Sequence, residues 1–165
     1  MCDYCSCRSQ PLIGSLSEDH IALMAQSALV ERALTAGDLP SARRVLAELC
    51  EDLAVHLELE EVALFPALAS DAVFATTLER LGGDHAAARA GVRGAGSSPE
   101  QWAAGVRVFL AELADHIFLE EHDVFPASVQ VLTSGAWQHA EEAAHGFAHE
   151  YGIDHSHDHP RRHGH

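Results

Sequence analysis

The chain has 165 residues, 47% of them hydrophobic, with 10 Lys and Arg against 25 Asp and Glu and a formal charge of -15 at pH 7. That length suits about one domain with a single core, and the charge repels phosphate backbones and anionic bilayers while attracting cations, so nucleic acid and membrane partners are not expected. No apolar run approaches the ~18 residues of a membrane span, no charged-then-apolar leader precedes the first helix signal, and four cysteines for this size fit a reducing cytoplasm better than a disulfide framework.

Residues 1–12 form a leader containing CDYCSC, whose Cys2, Cys5 and Cys7 suit a redox pair, a metal or no role at all. Beyond it, helix signals follow one another and no stretch has the alternation of a strand, so the spacing predicts an all-α domain. The expected architecture is an antiparallel, up-down four-helix bundle over residues 13–130. Ser15 followed by Glu18 reads as a capping box for the first helix, which Gly37 ends. Pro40 suits the first turn of a second helix, stopped or kinked near Pro66. A third runs from Ala72 to Val92, with Gly82 and Gly83 inside it for close backbone packing or local loosening. The loop GAGSSPE then supplies a cap at Ser97 or Ser98, and the fourth helix runs from Pro99 to Pro126. A short fifth helix over residues 134–152 precedes a histidine-rich tail, residues 153–165, too polar to bury anything.

The core-facing seam of each long helix contains polar residues. On the first it reads Leu16, His20, Leu23, Ser27, Val30, Leu34; on the third, Phe74, Leu78, Leu81, His85, Ala88, Val92. The second gives Leu46, Leu49, Leu53, His56, Glu60, Ala63, and the fourth Phe109, Leu113, His116, Glu120, Asp123. These last two seams cross a phrase written twice, HLELEEVALFP from His56 and HIFLEEHDVFP from His116. A histidine and a glutamate four apart share one helix face. One such pair is commonly a surface pair, but here four helices aim polar groups at one interior. Burying two carboxylates without counter-charge costs several kcal/mol each, against a typical domain stability of ~5–15 kcal/mol, so a cation is required. At ~1.5 Å per residue, His20 and His56 lie level across their shared turn, and Glu60 and Glu120 project to one level where they can bridge a pair of metals.

The series His20, His56 with Glu60, His85, and His116 with Glu120, one element per helix, resembles the hemerythrin-like, or HHE cation-binding, family. The EE and FP steps look like that family too, and the Cys-rich start resembles a leader of some bacterial members. The resemblance implies a non-haem di-iron centre with two irons per chain, two histidines per iron, Glu60 and Glu120 as bridging carboxylates, and an oxo or hydroxo bridge. Glu61 and Glu121 adjoin the ligands, and either could replace its neighbour as bridge. Asp52 and Glu112, four residues before His56 and His116, are candidates to fix the histidine tautomers. Imidazole-rich ligation suits iron, zinc or manganese, whereas calcium wants oxygen ligands. Ferritin-like Glu-x-x-His spacing occurs only at Glu142 and His145, outside the four helices. Oxygen-carrying relatives have a second histidine one turn away on the third helix; here Leu81 and Arg89 flank His85 at those steps, which favours chemistry or sensing over oxygen storage.

The function so implied is to bind or react with dioxygen, peroxide or nitric oxide in oxidative-stress defence or redox and iron handling. Peroxide decomposition or oxygen reduction is its enzymatic form. A non-catalytic oxygen or iron sensor acting through a partner is one alternative. Another is metal storage or delivery by His145, His149 and the tail histidines from His155 to His165.

Overall fold

The structure, a computed structural model, describes residues 6–92 and 98–152. They are almost entirely helical, with no strand among them, and no helix there is long and apolar enough to cross a membrane. Cys2, Cys5, the Cys7 side chain, the GAGS segment and the histidine tail lie outside the described residues.

Helix α1 (Pro11–Thr35) opens on its proline, after a short 3-10 turn, and no side chain caps it. The expected start at Ser15 is therefore one turn late, because Pro11 already has the backbone angle of a first helical turn and no N–H to leave unpaired. Gly37, at φ 72, closes the turn into α2 (Leu39–Leu59), where Asp38 accepts a hydrogen bond from the Ser41 N–H at 3.1 Å. Helix α3 (Ala75–Ala90) follows a 3-10 turn at Ala72–Phe74 and stops at Gly91. Helix α4 (Pro99–Leu119) starts in a capping box between Ser98 and Gln101, and α5 (Ser134–Tyr151) starts on the Thr133 hydroxyl.

Neither FP step ends its helix. Helix α2 widens into a π turn, Glu60–Leu64, before a further α turn, Phe65–Leu68; α4 does the same at Glu120–Val124 before Phe125–Val131. A proline within a helix strikes the carbonyl four residues back, here Val62 and His122. The extra residue of a π turn relieves that contact, and the amide N–H groups of Phe65 and Phe125 donate to the carbonyls of Glu60 and Glu120. The seam slips by one residue as a result. Leu64 and Val124 turn inward, while Asp123, expected on the core face, is exposed.

The apolar interior falls into two clusters. One gathers Leu12, Ile13, Leu16, Leu64, Leu68 and Phe125, covered by Trp137 and Phe147 of α5. The other gathers Leu23, Val30, Leu49, Leu53, Val106 and Leu113. Along α1, His20 falls between Leu16 and Leu23; along α2, His56 and Glu60 fall between Leu53 and Leu64. A buried polar layer thus separates two hydrophobic ones. Gly82 and Gly83 are exposed within α3, and a Cβ at either would meet nothing within 4 Å, so close backbone packing is not what they provide.

Candidate metal centre

Four imidazoles and two carboxylates converge in the polar layer. All six residues singled out in the sequence, His20, His56, Glu60, His85, His116 and Glu120, are buried there. They form two interlocked donor sets, His20, His56, Glu60, Glu120 and Glu60, His85, His116, Glu120, with the donor atoms of each set within 4.8 Å of one another. Both glutamates belong to both sets.

The geometry fits metal ions. His20 Nε2 lies 3.0 Å from His56 Nε2 and 3.2 Å from Glu120 Oε2, and His56 Nε2 lies 3.3 Å from Glu60 Oε1. In the second set His85 Nε2 lies 3.3 Å from Glu60 Oε2, and His116 Nε2 is equally far from Glu120 Oε2. Two donors at right angles around one ion at ~2.1 Å stand ~3.0 Å apart, close to these separations. Neither carboxylate accepts a hydrogen bond, and Nε2 of His85 and of His116 makes none. A buried polar atom without a partner costs about 1–3 kcal/mol, more when charged, so these converging lone pairs call for a cation. Nitrogen and carboxylate donors together suit iron, zinc or manganese.

Each outer ring nitrogen faces a carboxylate from another helix. His56 Nδ1 stands 3.4 Å from Asp19, His85 Nδ1 2.9 Å from Glu61, His116 Nδ1 3.7 Å from Asp84 and His20 Nδ1 3.0 Å from Glu121. In chain order, each long helix or its π turn serves the histidine of the next, and the fourth serves the first. Glu61 is gripped in turn by Arg89 at 2.6 and 3.0 Å, and Glu121 by Arg8 at 3.0 Å. Phe65 stacks on His85 at 4.9 Å, and Phe125 on His20 at 5.6 Å. The repeated phrase now reads as a unit: a histidine and a glutamate face the centre, while the second glutamate and the phenylalanine hold a histidine on another helix.

A family model for the Hemerythrin HHE cation binding domain matches residues 12–128. The chain belongs to that family. No curated protein and no solved structure matches it. The HHE match contains all six converging residues and the four outer carboxylates, whereas Arg8 and α5 lie beyond it.

Within this HHE domain the outer carboxylates correct the sequence reading. Asp52 accepts from Gln26 Nε2 at 2.5 Å at the surface, and Asp19 takes the place expected for it beside His56. No hydrogen bond reaches His116 Nδ1, so Glu112 does not fix its tautomer; Asp84 is the carboxylate in ion-pair reach. Glu61 and Glu121 face the outer nitrogens, leaving Glu60 and Glu120 between the donor sets. The signal was present in the sequence as the residue beside each inward group, Asp19-His20, Glu60-Glu61, Asp84-His85 and Glu120-Glu121. Adjacent helical residues point about 100° apart, so when one faces the centre its neighbour can face the next helix.

The ring nitrogens and carboxylates of the HHE centre differ in how tightly they hold protons. Burial opposes a charge on His56, yet Glu60 and Asp19 lift its pKa to about 10. Burial and the neighbouring His85 drive His116 down to about 4, leaving its nitrogen lone pair available. Burial, with Glu60 beside it, pushes Glu120 up to about 7. Divalent ions bind such a donor set by displacing protons. Elsewhere, His145 and His149 on α5 are exposed and join no group of three or more candidate ligands among the described residues.

Proposed function

We propose that this HHE protein holds two iron ions within an antiparallel, up-down bundle of α1 to α4, and that the pair binds or reacts with dioxygen, hydrogen peroxide or nitric oxide. The observation that carries this reading is the sharing of Glu60 and Glu120 by both donor sets, which suits two ions spanned by common carboxylates. His20 and His56 would hold one ion, and His85 and His116 the other. The same donors would also take zinc or manganese. The short link of residues 36–38 between α1 and α2 supports an antiparallel start to the bundle.

Irons so held would supply electrons to, or withdraw them from, a small oxygen species. The chain's own residues fix the conditions. Glu61 and Glu121 accept hydrogen bonds from the Nδ1–H groups of His85 and His20, so each Nε2 presents a lone pair inward. Phe65 and Phe125 hold two ring planes, and the apolar clusters flank the centre along the bundle. Leu81 is in the core and Arg89 is held by Glu61, so neither step beside His85 offers a further imidazole, which supports chemistry or sensing over oxygen storage. The charge of -15 and the cysteine usage support a cytoplasmic protein without nucleic acid partners.

The test is spectroscopy with turnover on iron-loaded protein. Absorption from a spin-coupled ferric pair and rapid loss of added peroxide are expected, both abolished by Glu60→Ala. Iron bound only as separate, uncoupled ions would contradict the reading.

A further inference from the structure

The two donor sets match in composition but not in how their histidines are held. His20 and His85 are each braced by a glutamate, at 3.0 and 2.9 Å, by an arginine on that glutamate, and by a stacked phenylalanine. His56 has an aspartate at 3.4 Å. His116 has the least. Its side chain is only 5% exposed, yet no hydrogen bond reaches either ring nitrogen, and Asp84 stands 3.7 Å away with 40% of its side chain exposed. On the inner side, His116 Nε2 is 3.3 Å from Glu120 but 4.0 Å from Glu60. Cavities border both positions, of about 440 Å³ at His56 and 240 Å³ at His20, so the difference lies in how His116 is held; the cavity of about 190 Å³ at His85 and His116 is lined by Asp84 and Glu112 together with Leu53, Leu57, Phe109 and Leu113 of the second apolar cluster. It gives the His116 ring room to turn and brings carboxylates to the path a cation would follow.

We propose that the two metal positions are inequivalent: the ion held by Glu60, His85, His116 and Glu120 exchanges through this cavity, with His116 the ligand that lets go and Asp84 its positioning residue. The inference rests on the two-metal reading and adds which position exchanges. Outer hydrogen bonds fix the orientation of ligating imidazoles and raise their basicity, and losing one typically weakens metal affinity ~10–100-fold. His116 is the one imidazole of the four whose outer nitrogen lacks such a bond. An ion depending on it therefore dissociates before its neighbour. A cation leaving by this route passes from buried imidazole to half-exposed carboxylate along the edge of the second apolar cluster.

The experiment uses crystals of the full chain loaded with zinc, which is redox-silent, and anomalous scattering at the zinc edge before and after a timed soak in chelator. Both positions are expected to be filled at first, and scattering between His85 and His116 to fall first. In solution, chelator should remove zinc in two phases differing ~10-fold or more in rate. Asp84→Ala should speed the faster phase, and Asp84→Glu, whose longer arm can reach Nδ1, should slow it. Equal loss from both positions, or earlier loss between His20 and His56, overturns the proposal while the two-metal reading stands. Two Asp84 variants that leave both phases unchanged overturn the positioning role, and a chain that takes up no zinc in the bundle overturns both readings.

Discussion

Glu61 stands 2.9 Å from His85 Nδ1, and Phe65, one turn further along the same strand of helix, stacks on the same imidazole at 4.9 Å. One helix thus both orients and flattens a ligand carried by another. Glu61→Ala is expected to weaken metal binding ~10–100-fold with the fold intact, and Arg89→Ala to weaken it less in the same direction. Competition against a chelator of known affinity measures both. An affinity unchanged in Glu61→Ala would show that this contact does not orient the ligand.

Phe125 is fully buried and packs both against His20 and within the cluster covered by α5. Phe125→Ala should cost about 3–5 kcal/mol of stability, read from denaturant unfolding in excess chelator. Phe118, 60% exposed, is the control, and Phe118→Ala should stay within ~0.5 kcal/mol of the parent. Similar losses from the two substitutions would contradict the assigned core.

Gly82→Ala or Gly83→Ala should stabilise α3 by about 0.5–1 kcal/mol, because both sites are exposed, lie inside a helix and leave an added Cβ clear of contacts. Chemical unfolding of each variant is the measurement. A loss of stability would reveal a close approach that the packing of α3 does not contain.

The converging residues were legible because helical periodicity turns four-residue spacing into a shared face, and because burying Glu60 and Glu120 demands a cation. Pro99 behind its Ser98 cap, Gly37 and Pro40 likewise marked helix ends by local backbone chemistry. The π turns were not legible. One additional residue per turn changes no composition, so regular helical spacing continues the seam from Glu120 to Asp123, whereas the chain buries Val124. Asp52 and Glu112, four residues before His56 and His116, share a helix with those histidines, and spacing along one helix reaches no further. The Nδ1 atoms instead face other helices, a relation between helices that spacing along one of them does not encode.

Cation binding should also appear as stability. An ion that binds only the folded chain stabilises it by about 2.7 kcal/mol when free metal is a hundredfold above its dissociation constant. Thermal unfolding with and without chelator should therefore separate, and the separation should shrink in Glu60→Ala, which removes a carboxylate common to both donor sets. Identical melting with and without chelator would contradict a buried metal site.

Elemental analysis of the full chain beside its Glu60→Ala, Glu120→Ala double variant tests the central claim most directly, since the difference between them cancels any metal bound by the tail. Protein purified without chelator should hold about two more metal ions per chain than the variant, one for each donor set, with iron the principal metal. A difference near zero, with the variant still folded, would contradict the shared-carboxylate centre.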